Sequence, residues 1–326
     1  MATAFSPANA TTTTTAATFI PEIWSDEIVA AYKKNLVLAN LVKRMNFKGK
    51  KGDTVHIPSP TRGSASAKTA TNAVTLIVNT ESEVQVSIDK HYEYSRLIED
   101  IVEVQSLSSL RSFYTEDAGY SLAKQIDTDL VRLGRSFNGA TVGTNDYATS
   151  NTSTKAYIGS DGTTAYNSTT SNAAALTDAA IRRTIQRLDD NDTPMDGRFF
   201  IIPPSSRNTL MGLARYTEQA FIGEAGANNT IRNGEIGNLY GIPVFVTSNA
   251  DYGAGNSGAD RICLMGHRDS MVLVEQMGIR SQTQYKQEYL ANLMTADTIY
   301  GVKAMRTAAT TGAATSSSAF ALAVPA

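Results

Sequence analysis

The sequence is poor in the residues that build disulfides and metal sites. It contains one cysteine, Cys263, and three histidines among 326 residues. A single cysteine excludes an internal disulfide framework and is typical of a reducing compartment. The histidines His56, His91 and His267 are not spaced three or four residues from one another, so the pattern predicts no metal site. We expect no cofactor either.

Charged side chains are also scarce. They make up 18% of the chain, against roughly 25% in typical soluble domains, so Thr, Ser, Asn, Gln and Ala must cover much of the surface. Such a surface suits a protein that is covered by its neighbours. The net charge of −2 gives no overall basic excess, which argues against a dedicated nucleic-acid-binding protein.

Long apolar runs are missing as well. No stretch approaches the roughly 18 apolar residues of a membrane-spanning helix. Residues 1–21 contain neither a charged side chain nor the long apolar core of a secretory signal peptide. We therefore expect no membrane span and no secretion.

Motifs for catalysis and cation binding fail on their context. The stretch GAGNSG (253–258) has the glycine spacing of a dinucleotide-binding loop, but the residues after it predict a strand where a helix is required. The acidic stretch 189–197 resembles a calcium loop, but Pro194 and Ile201 occupy positions that need oxygen ligands. No P-loop or nucleophile-elbow motif is present, so we predict that the protein is not an enzyme.

Residues 1–47 predict an arm followed by a short helix. Residues 1–18 are low in complexity, with five consecutive threonines, and predict an extended segment. Over 20–42 the pattern becomes helical, with an apolar stripe at every fourth residue: Trp24, Ile28, Tyr32 and Leu36. We predict that Trp24 is a packing anchor, in the core or in a subunit contact.

A short basic run and a long hairpin follow. The run fits a solvated loop, or a local site in which Lys48, Lys50 and Lys51 face phosphate or an acidic neighbour. Residues 48–93 predict two strands, because apolar and polar side chains alternate from Val84 onward. A hairpin of this length has little core of its own, so we expect it to rest on another molecule.

The middle of the chain predicts a long helix and then a mixed region. From Arg96 the apolar spacing is helical, and it predicts a strut helix over 112–137 inside a unit of 94–137. The Gly-, Thr- and Asn-rich residues 138–176 predict a long loop or a hairpin insertion on the surface, where we expect exposure or function. Helices and strands then alternate over 177–268.

The last part of the chain predicts closing strands over 269–310 and a loose tail over 311–326, which is rich in Ala, Thr and Ser. Within the preceding alternating region, GNLYGIPVFVTSN (237–249) interrupts an apolar strand with Gly241 and Pro243. We expect Gly241 to turn the backbone where a Cβ would clash, and Pro243 to begin a buried strand. Both are predicted packing positions rather than chemical groups.

The order of these elements resembles that of the HK97-type major capsid proteins of tailed bacteriophages. The stretch 20–42 is similar to the segment after the family's N-terminal arm, and residues 52–100 (GDTVHIP through VQVSIDKHYEYSRLIED) to its E-loop leading into the spine helix. GRFFIIPP (197–204) and GEIGNLYGIPVFVTSNA (234–250) resemble its A-domain strands, and EYLANLMTADTIYGVKAMR (288–306) its closing P-domain strands. The resemblance depends on order and spacing along most of the chain.

The resemblance implies an α+β, HK97-like capsid fold with an N-arm (1–47), an E-loop (48–93), a P-domain with a long spine helix (94–137) and an A-domain (177–268). It implies a structural subunit that self-assembles as hexamers and pentamers into the icosahedral shell around double-stranded phage DNA. Such a subunit is part of the virion and is assembled in the host cytoplasm. An encapsulin-type nanocompartment shell is the alternative, because it shares this fold.

Further partners follow from the same resemblance. Because only about 20 residues precede the matched body, we expect a separate scaffolding protein or none, together with a portal. The sequence leaves open a decoration protein, the triangulation number, the host and covalent crosslinking between subunits. A surface-layer protein would need a secretion signal, and a hydrolase on 176–270 would need a catalytic triad; neither is visible in the sequence.

Overall fold

The structure is a computed structural model of the 326-residue chain. It describes residues 36–48, 52–60, 65–70, 73, 74, 76, 81–101, 110–134, 156–164, 166, 172–213, 237–250, 252–253, 260–305 and 318–326. The predicted arm, most of the predicted N-terminal helix, Trp24, Lys50 and Lys51 lie outside these residues.

The first sheet has four strands, and its centre is a long antiparallel ribbon. In spatial order the strands are β1 (Lys43–Asn46), β11 (Met271–Lys286), β12 (Ala291–Ala304) and β4 (Lys90–Glu99). β1 runs parallel to β11 but covers only its start, whereas β4 follows β12 over ten residue pairs. The register of β11 against β12 shifts between Glu275 and Arg280, so the ribbon is irregular there.

The second sheet has seven strands and includes the end of the chain. Its strands are β5 (Tyr157–Ile158), β13 (Ala319–Pro325), β10 (Asp260–His267), β6 (Arg198–Ile202), β8 (Ile242–Val246) and β7 (Asn238–Leu239), with β9 (Tyr252–Gly253) paired to β10. β6 is buried along its whole length because both faces of this sheet are covered.

A two-stranded hairpin stands apart from both sheets. β2 (Thr54–Pro60) pairs antiparallel with β3 (Glu81–Ser87) over seven residue pairs. Val84 and Val86 are buried, whereas Glu83, Gln85 and Ser87 are exposed. The predicted alternation along this strand is therefore confirmed.

Four helices complete the described fold: α1 (Leu38–Leu41), α2 (Leu110–Gly134), α3 (Asp178–Asp190) and α4 (Pro204–Met211). α2 is the predicted strut, and its 25 residues extend over about 38 Å. Thr177 caps α3 by accepting a hydrogen bond from the Ala180 N–H through its side-chain hydroxyl.

The two faces of the seven-stranded sheet belong to different parts of the core. Phe199 and Ile201 of β6 pack with α2 residues such as Leu130 in one buried cluster. Phe200 and Ile202, which point the other way, pack with residues of α3 and α4 in a second cluster. The first cluster also includes Leu273 and Tyr300 of the four-stranded sheet, so α2 joins the two sheets.

The predicted loose tail over 311–326 is wrong for the last strand. Ala319–Ala323 and Val324 are fully buried or nearly so, and β13 lies inside the sheet between β5 and β10. The strand pairs antiparallel with β10 over seven residues. A strand buried on both faces needs no polar alternation, and its alanines fit where neighbouring strands are crowded, so an Ala-rich composition was misleading.

Two other predictions change at their boundaries. The helical period predicted from Arg96 is wrong at its start, because β4 continues to Glu99 and pairs with β12; α2 begins only at Leu110. The predicted exposure of 138–176 is wrong for most of its described part, although Thr163, Thr164 and Ala175 are exposed. Ala156 and Tyr166 are each 2% exposed, and β5 forms the edge of the seven-stranded sheet.

The turn before β8 has a different cause from the predicted one. A Cβ on Gly241 would meet nothing within 4 Å, so the predicted clash is wrong. Tyr240 and Gly241 both have positive φ, at 53° and 80°, and together they form the two-residue turn between β7 and β8, the geometry of a type I′ hairpin. Pro243 is the second residue of β8, and Val244 to Val246 are half-buried rather than buried.

Candidate functional site

The β2–β3 hairpin is anchored at its base and exposed at its tip. At the base, Val86 packs with Val272 and Val274 of β11 in a buried cluster. At the tip, every described residue between the two strands is exposed. Two of them are large apolar side chains: Val74 is 69% exposed and Leu76 is 86% exposed.

One face of the hairpin carries a polar network. The carboxylate of Glu83 accepts a hydrogen bond from the Gln85 amide at 2.6 Å and pairs with His56 Nδ1 at 2.9 Å. The bond from Gln85, followed by the bond to His56, lowers the pKa of Glu83. These groups are exposed, so their interactions fix the side-chain positions on this face of the hairpin but add little to the stability of the fold.

The ribbon ends in a second exposed apolar surface, which we call the ribbon tip. Of the ten large apolar side chains that are exposed among the described residues, five belong to it: Leu97, Ile101, Tyr285, Tyr289 and Leu290. The tip is tied to β4 by the Asp100 N–H, which donates to the Leu290 carbonyl at 3.1 Å. The Tyr285 hydroxyl donates to the Asp100 carboxylate at 2.8 Å.

A charged cluster crosses three adjacent strands of the four-stranded sheet, β11, β12 and β4. Asp297 in β12 accepts two hydrogen bonds from the Arg280 guanidinium, at 2.8 and 3.1 Å, and contacts His91 Nε2 at 3.3 Å. These contacts lower the pKa of Asp297, with the Arg280 hydrogen bond as the main cause. Arg280 lies in β11 and His91 in β4, on either side of β12. The Asp297 carboxylate therefore links all three strands.

Helix α2 carries two buried carboxylates that the sequence did not single out. Asp127 is fully buried, and its Oδ1 accepts the main-chain N–H groups of Leu38 at 2.8 Å and Ala39 at 3.2 Å. Its Oδ2 accepts the side-chain amide of Asn249 at 2.9 Å. Asp127 therefore caps α1 from outside and ties it to the loop after β8.

Asp129 performs a similar task toward the other sheet. It accepts the hydroxyl of Tyr300 at 2.7 Å and pairs with the Lys90 ammonium at 3.2 Å. Burial, followed by the bond to Asp129, raises the pKa of Tyr300. The only sequence signal for either group is an acidic residue beside the apolar positions of a long helix, which also occurs on solvated helix faces.

The predicted site residues do not come together in one place. Lys48 is exposed, and its ammonium lies against β11, 3.2 Å from where a Cβ on Gly278 would be. Gly241 and Pro243 lie at β7–β8 in the second sheet. Trp24, Lys50 and Lys51 are outside the described residues.

The buried cysteine, Cys263, lies in a setting that keeps its thiol unreactive. Cys263 is fully buried and contacts the Ser206 hydroxyl at 3.4 Å. Burial raises the pKa of the Cys263 thiol to about 12, so the thiol stays protonated at neutral pH. In the part of the chain that is described, no three His, Cys, Asp or Glu side chains are grouped to hold a metal ion, and no helix has the length and apolar character to cross a membrane.

Comparison with known proteins places the fold. No protein-family model matches the sequence, and no curated protein matches it either. Solved structures do match. A structure from Mycobacterium phage Che8 is 22% identical, with a TM-score of 0.68 and coverage of 93% of this chain and 97% of that one.

Two further matches carry capsid titles. The capsid structure of Cyanophage P-SCSP1u is 17% identical, with a TM-score of 0.71 and coverage of 98% of both chains. The capsid of Ralstonia phage GP4 is 16% identical, with a TM-score of 0.64, and covers 94% of this chain and 95% of that one. These likenesses extend over nearly the whole length of each chain, so the protein has the α+β fold of phage capsid structures.

Proposed function

We propose that the protein is the major capsid protein of a tailed bacteriophage and that copies of it assemble into the shell of the virion around double-stranded DNA. The observation that carries the proposal is the fold match to phage capsids over more than 90% of the chain. In the HK97-type description, β2–β3 is the E-loop, α2 the spine helix, the ribbon part of the P-domain, and the seven-stranded sheet the A-domain.

The exposed apolar groups support assembly. The hairpin tip and the ribbon tip present large apolar side chains on elements with little core of their own, and exposed apolar patches on protruding elements mark protein contacts. Identical copies that meet through such surfaces form closed shells when the symmetry closes. The contact need not be strong, because it is repeated around the shell.

The same proposal assigns partners to the protein and disfavours the encapsulin alternative. The subunits form hexamers and pentamers, with a portal and with a separate scaffolding protein or none, and the subunits have no enzymatic role. The basic residues Lys48, Lys50 and Lys51 face DNA or an acidic patch on a neighbour. An encapsulin-type shell is not favoured, because the similar structures described above, from Che8, P-SCSP1u and GP4, come from phages.

The hairpin tip gives the sharpest test of assembly. Leu76→Asp places a charge on a side chain that is 86% exposed in the subunit, so the subunit should fold normally while its contact with a neighbour is lost. Sedimentation velocity should show large particles for the wild type and small species for Leu76→Asp. Ser66→Asp, at another exposed position of the same tip, is the matched control.

Full-size particles from Leu76→Asp would contradict a packing role for the hairpin tip. For the basic residues, the triple change Lys48→Ala, Lys50→Ala and Lys51→Ala should lower particle yield or genome content in an infection assay. Unchanged yield and genome content would contradict that assignment.

A further inference from the structure

A cleft lies between helix α2 and the irregular part of the ribbon. It has a volume of about 380 Å³, and its apolar wall comes from Leu36, Ala39, Ala123, Ile126 and Ile279. The Ile279 side chain is 46% exposed. The cleft is also lined by polar residues, among them the Arg44–Glu275 ion pair at 2.6 Å, so it has an apolar wall beside a charged pair, and other residues of the described chain leave this wall partly open.

The α2 side of the cleft can accept a close neighbour. Ala123 lines it with only a methyl group, and Gly119 lies one turn earlier on the same side of the helix. A Cβ at Gly119 would meet nothing within 4 Å, so space is open above this turn. Small side chains let a second helix approach at the short end of the usual range of interaxial distances.

The chain itself leads into this cleft. Leu36 is the first described residue, and it lines the cleft, so the preceding residues leave from the cleft wall. Leu36 is also the last member of the apolar stripe that begins at Trp24 and recurs at Ile28 and Tyr32. Such a stripe on a helix is about 18 Å long, roughly half the length of α2.

We propose that the cleft binds the amphipathic segment Trp24–Leu36 of the same chain, with its apolar stripe against Ala123, Ile126 and Ile279. The covalent link through Leu36 gives this segment a high effective concentration at the cleft, which a segment from another molecule lacks. The stripe covers the exposed face of Ile279 and fills the space above Gly119. The inference goes beyond shell formation, because the contact exists in a single subunit.

Trp24 makes the contact measurable, because it is the only tryptophan of the chain. In unassembled wild-type subunits, Trp24 emission should be shifted to the blue of the urea-unfolded chain and protected from acrylamide quenching. Ala123→Arg and Ile279→Asp should each move the emission to the unfolded value and raise the quenching constant severalfold. Ser121→Arg, at an exposed position of the same helix, should leave both unchanged.

Several outcomes separate this proposal from others. The proposal is overturned if acrylamide quenches Trp24 in the wild type as strongly as in the unfolded chain. It is also overturned if Trp24 stays protected from acrylamide in both cleft variants. Protection that appears only at high protein concentration or on assembly would show that the segment comes from a neighbour, which also overturns it. If Ala123→Arg is unfolded by circular dichroism, Ile279→Asp decides the test, because its side chain is already half exposed. Shell formation is not read in this experiment, so its result is independent of the proposed function.

Discussion

Replacing Asp127 tests whether one buried carboxylate holds three parts of the molecule together. The side chain accepts the N–H groups of Leu38 and Ala39 through one oxygen and the Asn249 amide through the other. Leu38 and Asn249 are buried, so water cannot easily replace the lost acceptor. Asp127→Ala therefore leaves two main-chain donors and one amide donor without this acceptor.

The expected loss follows from these three donors. An unsatisfied buried donor costs about 1–3 kcal/mol, and the gain in helix propensity from Asp to Ala is at most about 0.7 kcal/mol. Part of the cost is recovered because the carboxylate no longer has to be buried. We expect Asp127→Ala to lower the free energy of unfolding by about 3–5 kcal/mol, a large part of the roughly 5–15 kcal/mol of a typical domain.

Asp127→Asn refines the test because it removes less. An asparagine oxygen can still accept from Leu38 and Ala39, and only the bond to Asn249 is lost, so we expect a loss of about 1–2 kcal/mol. Glu116→Ala, at an exposed position of the same helix, is the control and should change stability little. Urea unfolding of unassembled subunits, followed by circular dichroism, measures all three.

The ranking decides between the outcomes. The order Ala, then Asn, then the Glu116 control is expected from largest to smallest loss. If Asp127→Ala unfolds at the same urea concentration as Glu116→Ala, the three hydrogen bonds do not hold α1 and the loop after β8 to the helix, and the reasoning is refuted.

Three further predictions follow from single features. Gly241→Ala should lower the free energy of unfolding by about 1–2 kcal/mol because the φ of Gly241 is positive. Gly237→Ala should lower it less in the same urea assay, because Gly237 also has open space but no positive φ. Equal losses would contradict the role of the positive φ in the turn. Deleting 319–326 should abolish folding, because several fully buried side chains are lost at about 1.5–3 kcal/mol each, whereas deleting Ala326 should not; a folded, soluble truncated chain by circular dichroism would contradict this. Burial raises the pKa of Cys263 from 9.0 to about 12, so the thiol's contribution to the free energy of unfolding is fully present below pH 9 and is lost as the pH rises toward 12. Relative to Cys263→Ala, the wild type should lose about 1.4 kcal/mol of stability per pH unit in that window. Parallel curves of stability against pH for the two proteins would contradict this.

The sequence could predict the elements whose pattern is local. Alternation at Val84 and Val86 defines a strand with one buried face, and the apolar spacing of α2 defines a long helix, because each signal repeats within one element. The position of the turn at Gly241 is predictable, but the reason for a glycine there is not. Glycine suits this position because Tyr240 and Gly241 both have positive φ, and not because a Cβ would be crowded.

Other features depend on contacts far apart in the chain, and no local pattern carries them. β13 is the short apolar run AFALAVP after an Ala-, Thr- and Ser-rich stretch, and its buried position shows only when β5 and β10 are seen on either side of it. Asp127 looks like an ordinary charged helix residue until the N–H groups of Leu38 and Ala39, 89 and 88 residues away, are found at its oxygens. Such partners are set by the fold as a whole.

Electron microscopy of the purified protein tests the central claim most directly. Over a range of salt and protein concentration, the account predicts hollow icosahedral particles of uniform size, built from hexamers and pentamers of this chain. If the folded protein remains monomeric or forms only irregular aggregates under all of these conditions, with or without a phage scaffolding protein, the account is contradicted.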